Sequence, residues 1–127
     1  MVDDATINDI TGEIVDAAIK VHRALGPGLL ESTYEACLAN EIRARNISVS
    51  SQAPLPVKYG EVVLEVGYRI DLLVADTVIV EIKSVDSIAP IHKAQLMSYL
   101  KLSGKKVGLL INFNVELLKN GITRLVV

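Results

Sequence analysis

The spacing of apolar residues changes period part-way along the chain, and that change restricts the folds open to it. Ile7, Ile10, Ile14, Ala17, Ala18, Val21 and Leu25 recur every three or four residues, which predicts an amphipathic helix. Thr6 is available as its N-cap, and Gly26-Pro27-Gly28 stops it. A second helix carries Leu30, Tyr34, Leu38 and Ile42 on one stripe, with Glu35, Asn40, Arg43 and Arg45 mostly outside it. From Ile47 to Ser84 the period is two. Val62, Leu64, Val66, Tyr68, Ile70, Leu72 and Val74 then fall on one face of a long, half-buried antiparallel strand.

Tyr59-Gly60-Glu61 and Ala75-Asp76-Thr77 read as tight connections, so Val57, the long strand and Val78 to Lys83 are expected to form a meander. Pro54 and Pro56 confine the first strand to a sheet edge. A third helix runs from about Ala89 to Ser103, with Pro90 early in it and Gly104 beyond its end. Val107 to Asn112 is a continuous apolar run, as a strand covered on both faces requires, and Ile122 to Val127 makes a last edge strand. Two helices, three strands, a helix and a strand pair imply an α/β fold, a mixed sheet flanked by helices.

Half of the 127 residues are apolar, enough to bury the core of one domain spanning residues 1–127 and too few for two. The 13 basic and 15 acidic residues nearly balance, without blocks of like charge, so a nucleic-acid partner must be met by a local patch. Cys37 has no disulfide partner and no neighbour at zinc-ligand spacing, which fits a reducing cytoplasm. Runs such as Val107 to Ile111 fall far short of the roughly 20 residues of a membrane span, and Met1-Val2-Asp3-Asp4 does not open a signal sequence. The expectation is a soluble cytoplasmic protein without repeats or low-complexity segments.

Charge on the apolar strand Val78-Ile79-Val80-Glu81-Ile82-Lys83 is the chemical signal. Glu81 and Lys83 point the same way, and Asp71 on the preceding strand lies opposite the apolar set, so two carboxylates and an amine can converge. Burying them is expensive unless the charges compensate one another or a cation, and a hard divalent ion with oxygen ligands would do so. Glu31 lies three residues before Tyr34, on the edge of the stripe that faces the sheet. On the third helix His92, Leu96 and Tyr99 share the buried side, with Gln95 at its border. Each feature has an ordinary alternative. Glu81 and Lys83 could form surface ion pairs with Arg69 or Glu65. Asp71 could be a solvated strand end, and Glu31 could offset a helix dipole. Tyr34 suits packing, with its hydroxyl bonded. His22 and His92 read as structural, the Gly26 turn lacks a phosphate-binding loop's lysine, and Lys101, Lys105 and Lys106 read as a solvated face.

The pattern resembles the bacterial GxxExxY proteins, a branch of the PD-(D/E)XK nuclease superfamily. The name-giving motif reads Gly28-Leu29-Leu30-Glu31-Ser32-Thr33-Tyr34, and the acidic strand motif reads Asp71, nine intervening residues, then Glu81-Ile82-Lys83. Gln95-Leu96-Met97-Ser98-Tyr99-Leu100 and Gly108-Leu109-Leu110-Ile111-Asn112-Phe113-Asn114 are also similar, so the likeness covers nearly the whole chain. It implies a restriction-endonuclease-like core in which Asp71, Glu81, the Ile82 carbonyl and Glu31 hold Mg²⁺, with Mn²⁺ able to substitute. Asp71, Glu81, Lys83 and Gln95 are then the catalytic candidates, and Tyr34, Lys93 and Tyr99 the substrate contacts. The implied activity is metal-dependent hydrolysis of phosphodiester bonds in DNA, or secondarily RNA. A silent binding module of the same fold and a hydrolase of small phosphorylated substrates are the alternatives. With one cutting centre per chain, severing both strands of a duplex calls for a homodimer or two events.

Overall fold

The computed structural model describes residues 3–127. Asp3 caps the first helix, α1 (Asp4–Leu25), by accepting from the Thr6 amide at 2.8 Å, so the cap lies three residues ahead of the expected Thr6. Gly26, at φ 71°, ends it. In α2 (Glu31–Ala44), Tyr34, Leu38, Ala39 and Ile42 face inward. Leu30 is instead the residue before the first helical turn and is 73% exposed.

Both helices pack on one face of a five-stranded mixed sheet. Its strands are β1 (Val49–Pro54), β4 (Arg69–Val74), β5 (Val78–Lys83), β6 (Val107–Asn112) and β7 (Ile122–Val126), in spatial order β1-β4-β5-β6-β7. Only β5 and β6 run parallel, joined by α3 (Pro90–Ser103), which covers the opposite face with Leu96, Tyr99 and Leu100. All six residues of β6 are buried, as expected for a strand covered on both sides. This is the expected α/β arrangement, a restriction-endonuclease-like mixed sheet with flanking helices.

The long strand and the meander need correction. The segment from Val62 divides into β3 (Val62–Leu64), which pairs with β2 (Val57–Tyr59) in a separate ribbon, and β4, whose outer neighbour is β1. Val62, Leu64, Val66 and Tyr68 are exposed as a result. Leu55 N–H still donates to the Tyr68 carbonyl at 2.9 Å, so the positions of Pro54 and Pro56, which alternate with it, face the open edge of β1, where a missing donor costs the ladder nothing. Gly67, at φ 87°, then turns the chain away. The β4–β5 connection is the tight turn expected. Ala75 and Asp76 have φ of 52° and 51°, and Thr77 N–H donates to the Val74 carbonyl at 2.9 Å, the two-residue geometry that matches strand twist.

Both histidines do structural work. The His22 ring bonds the Val115 carbonyl through Nε2 at 2.7 Å, and His92 Nδ1 accepts from the Ala89 amide at 3.0 Å. Among the described residues no helix is long and apolar enough to cross a membrane.

Gly121, between a 3-10 turn (Leu118–Gly121) and β7, has no room for a side chain, since a Cβ there would collide with the Asn112 carbonyl oxygen. Backbone must shift to admit it. Gly121→Ala is therefore expected to lower unfolding free energy by about 2 kcal/mol or more, read by urea denaturation. An unchanged midpoint would contradict this packing.

Candidate metal centre

The ladder between β4 and β5 ends at Leu72 and Val80. Immediately beyond it the backbone amides are taken by side chains, crosswise. Glu81 Oε2 accepts from Asp71 N–H at 2.8 Å, and Asp71 Oδ2 accepts from Ile82 N–H at 2.8 Å. A residue's N–H and C=O leave a strand on the same edge, so the Ile82 carbonyl faces this opening too. Meanwhile β5 continues alongside β6, and Lys83 O accepts from Phe113 N–H at 2.9 Å. The site thus lies where two strands separate while a third keeps one of them fixed.

Asp71 also marks a break in side-chain alternation. Leu72 and Val74 join the core under α1 and α2, whereas Ile70 packs with Leu55 and Tyr99 on the α3 side, so the single apolar face expected of this strand is shared between two. Across from Asp71 stands Gln52, a non-glycine residue at φ 52°. Its Nε2 donates to Glu35 Oε1 at 2.7 Å and to Asp71 Oδ1 at 3.3 Å.

Glu31 reaches the same strand end from α2, its Oε2 accepting from Ser84 N–H at 3.2 Å. Ser84 Oγ donates to the Leu29 carbonyl at 2.7 Å, which fastens the loop before α2 to the end of β5. Buried Asn112 holds the following residue on both sides: its Oδ1 accepts from Val85 N–H, and its Nδ2 donates to the Val85 carbonyl.

Four carboxylates therefore gather at one sheet end, and the proton affinities of Glu81, Asp71 and Glu35 record it. Burial pushes the Glu81 carboxyl up to about 8, with the Asp71 charge adding to the effect. Burial also raises Asp71, and burial with the nearby Asp71 charge raises Glu35. The Lys83 charge works the other way on both Asp71 and Glu81. Arg69 donates to the Gln52 carbonyl instead of pairing with Glu81, so the ordinary ion-pair alternative is not formed among the described residues.

Lys83 lines a cleft of about 560 Å³ together with Gln95 and Tyr99. Gln95 Nε2 donates to the Tyr99 hydroxyl at 3.3 Å. Burial raises the Tyr99 hydroxyl's pKa, and the charges of Glu81 and Asp71 raise it further, so the cleft adjoins the carboxylates. Two substrate contacts do not join it. Tyr34 is fully buried and stacked on Phe113; its hydroxyl donates to the Gly26 carbonyl and accepts from Leu29 N–H, so it has no face to offer a substrate. Lys93 is exposed on α3 outside the residues lining the cleft.

Among the described residues no three Asp, Glu, His or Cys side chains stand converged to hold an ion. The crosswise bonds supply the reason, because each central carboxylate is turned toward the opposite strand's amide. Glu35 and Gln52 were missed by sequence reasoning. Glu35 was legible as the residue one helical turn after Glu31; Gln52 carries no local signal.

A family model for the PD-(D/E)XK nuclease superfamily matches residues 8–125. The chain belongs to the PD-(D/E)XK nuclease superfamily. Nucleases of that superfamily generally use divalent metals. No curated protein and no solved structure matches the chain.

Between the ordinary carboxyl value of 4.5 and about 8, native Glu81 holds a proton that the unfolded chain has released. Stability then falls as pH rises through that window, at up to about 1.4 kcal/mol per pH unit. Asp71 and Glu35 shift in the same direction. Urea titrations at pH 5, 6.5 and 8 are expected to show the decline, and Glu81→Gln to flatten most of it; a slope unchanged by the substitution would refute the assignment. Tyr34→Phe is expected to cost about 1–3 kcal/mol of stability through the unpaired Gly26 and Leu29 groups, without changing KM for any substrate.

Proposed function

We propose that the chain is a Mg²⁺-dependent nuclease of the GxxExxY branch, hydrolysing phosphodiester bonds in DNA and secondarily in RNA, with Mn²⁺ able to replace Mg²⁺. The observation that carries this reading is the gathering of Glu31, Glu35, Asp71 and Glu81 around one separated strand end, next to a lysine that faces a cleft.

The donor set fits a hard cation. It offers oxygen only, from carboxylates and the Ile82 carbonyl, and burial, with the neighbouring carboxylate charges, raises the proton affinities of Glu81, Asp71 and Glu35, which a cation would relieve. Asp71, Glu81 and the Ile82 carbonyl would hold the ion, with Glu31 and Glu35 at its border. When bound, a divalent ion supplies Lewis acidity toward a phosphoryl oxygen and lowers the pKa of a bound water. Lys83 would orient the attacking water and offset negative charge developing on the phosphate. Gln95, tethered to Tyr99, would present its amide oxygen toward Lys83 or the substrate.

A second reading, a silent module that binds nucleic acid without cutting it, draws on the unconverged carboxylates and on the formal net charge of -2. Duplex cleavage would need a second copy or two successive events, since each chain offers one centre.

With Mg²⁺ or Mn²⁺, single- and double-stranded oligonucleotides are the substrates to assay. Asp71→Ala is expected to abolish cleavage, and Lys83→Ala to slow it by about 10²–10³. A chain that neither binds these ions nor cleaves nucleic acid, with Lys83→Ala indistinguishable from the parent, defeats the proposal. Binding without turnover selects the silent module.

A further inference from the structure

We propose that the cleft between Tyr68 and α3 seats an unpaired nucleobase, so that the preferred substrate is a single strand or a frayed end and not an intact duplex. This rests on the nuclease reading of the adjoining carboxylates. The cleft opens beside Lys83, so whatever enters it lies next to the reacting phosphate. Its volume, about 560 Å³, is in the range of small-molecule sites.

The two walls differ in chemistry. One is aromatic and apolar: the Tyr68 ring, 48% exposed, stands edge-on to Tyr99 with centroids 6.2 Å apart, and Val57 and Leu102 extend the surface. The other is the polar row of His92, Gln95 and Ser98 along α3. A nucleobase presents the matching pair of surfaces, a π face and an edge of hydrogen-bonding groups. A phosphate does not match, because Lys83 is the only Lys or Arg among the cleft's described lining residues.

Charge points the same way. Duplex affinity comes chiefly from neutralising phosphates with Lys and Arg, and this chain carries a net charge of -2 with four carboxylates around the strand end. Affinity must then come from stacking, which an unpaired base offers freely and a paired base offers only after leaving its helix. The exposure of Tyr68 follows from the fold, since it lies between β3, which belongs to a separate ribbon, and the start of β4.

The test uses the full chain with Ca²⁺, to permit binding with little turnover, and a single-stranded oligonucleotide containing 2-aminopurine, whose fluorescence is quenched by stacking. Quenching on binding is expected, with weaker affinity for the matched duplex. Tyr68→Ala should weaken single-strand binding by about 5- to 150-fold, while Tyr68→Phe retains it. Ser98→Trp, filling the cleft from an exposed helix position, should reproduce the loss without removing the stacking ring. Circular dichroism confirms folding of each variant. Equal affinity for both forms, absence of binding, or a neutral Tyr68→Ala overturns the inference. Should Tyr68→Ala be neutral while Mg²⁺-dependent cleavage persists, only the base seat is lost. Should Tyr68-dependent quenching occur without any cleavage in Mg²⁺ or Mn²⁺, the base seat stands and the nuclease reading falls.

Discussion

The exchange of carboxylates for carbonyls across β4 and β5 is the interaction on which the rest of the site depends. At the end of an ordinary ladder, backbone amides turn to water. Here Asp71 N–H and Ile82 N–H lie in a partly buried opening, and Glu81 and Asp71 accept from them. The arrangement satisfies the amides at the cost of burying two carboxyl groups, one of them on a residue only 5% exposed. Burial and the Asp71 charge keep a proton on Glu81 up to about pH 8, while the Lys83 charge works the other way, so the opening favours something positive beside its carboxyl groups.

That opening is held apart by contacts distant from it in sequence. Ser84 bonds both Glu31 and the Leu29 carbonyl, Asn112 fixes Val85, and the Tyr34 hydroxyl closes the turn between Gly26 and Leu29. The glycine-to-tyrosine motif therefore works as a bracket. Gly28, at φ 95°, admits the turn, Glu31 touches the end of β5, and Tyr34 locks the base of the bracket against Phe113. Of the motif's named residues only Glu31 reaches the charged cluster; the other two determine where it stands.

What was legible in the sequence followed from regular periodicity. The three helices come from repeats of 3.6 that tertiary structure left intact, and the doubly covered β6 from a continuous apolar run of strand length. The long strand misled because every second position from Val62 to Val74 is apolar in the sequence, yet pairing partners decide where a strand ends. β1 pairs only with Arg69 to Val74, and Val62 to Leu64 pairs instead with β2. Gln52 was illegible for another reason: nothing in its neighbours announces its left-handed backbone at φ 52°.

Carboxyl groups crowd at this one end of the sheet, and Gln52 adds backbone strain to it. A non-glycine residue at φ 52° is unfavourable by about 1 kcal/mol, and the carboxylates add to that. The continuous core of α1, α2 and β6 holds the end open despite both. Proton and metal ion then compete for the same charge. Because Glu81 retains its proton up to about pH 8, any ion taken by these oxygens must displace it, and affinity for that ion weakens as pH falls below that value. The feature that lowers stability at alkaline pH is therefore the same one that would make an ion bind best there.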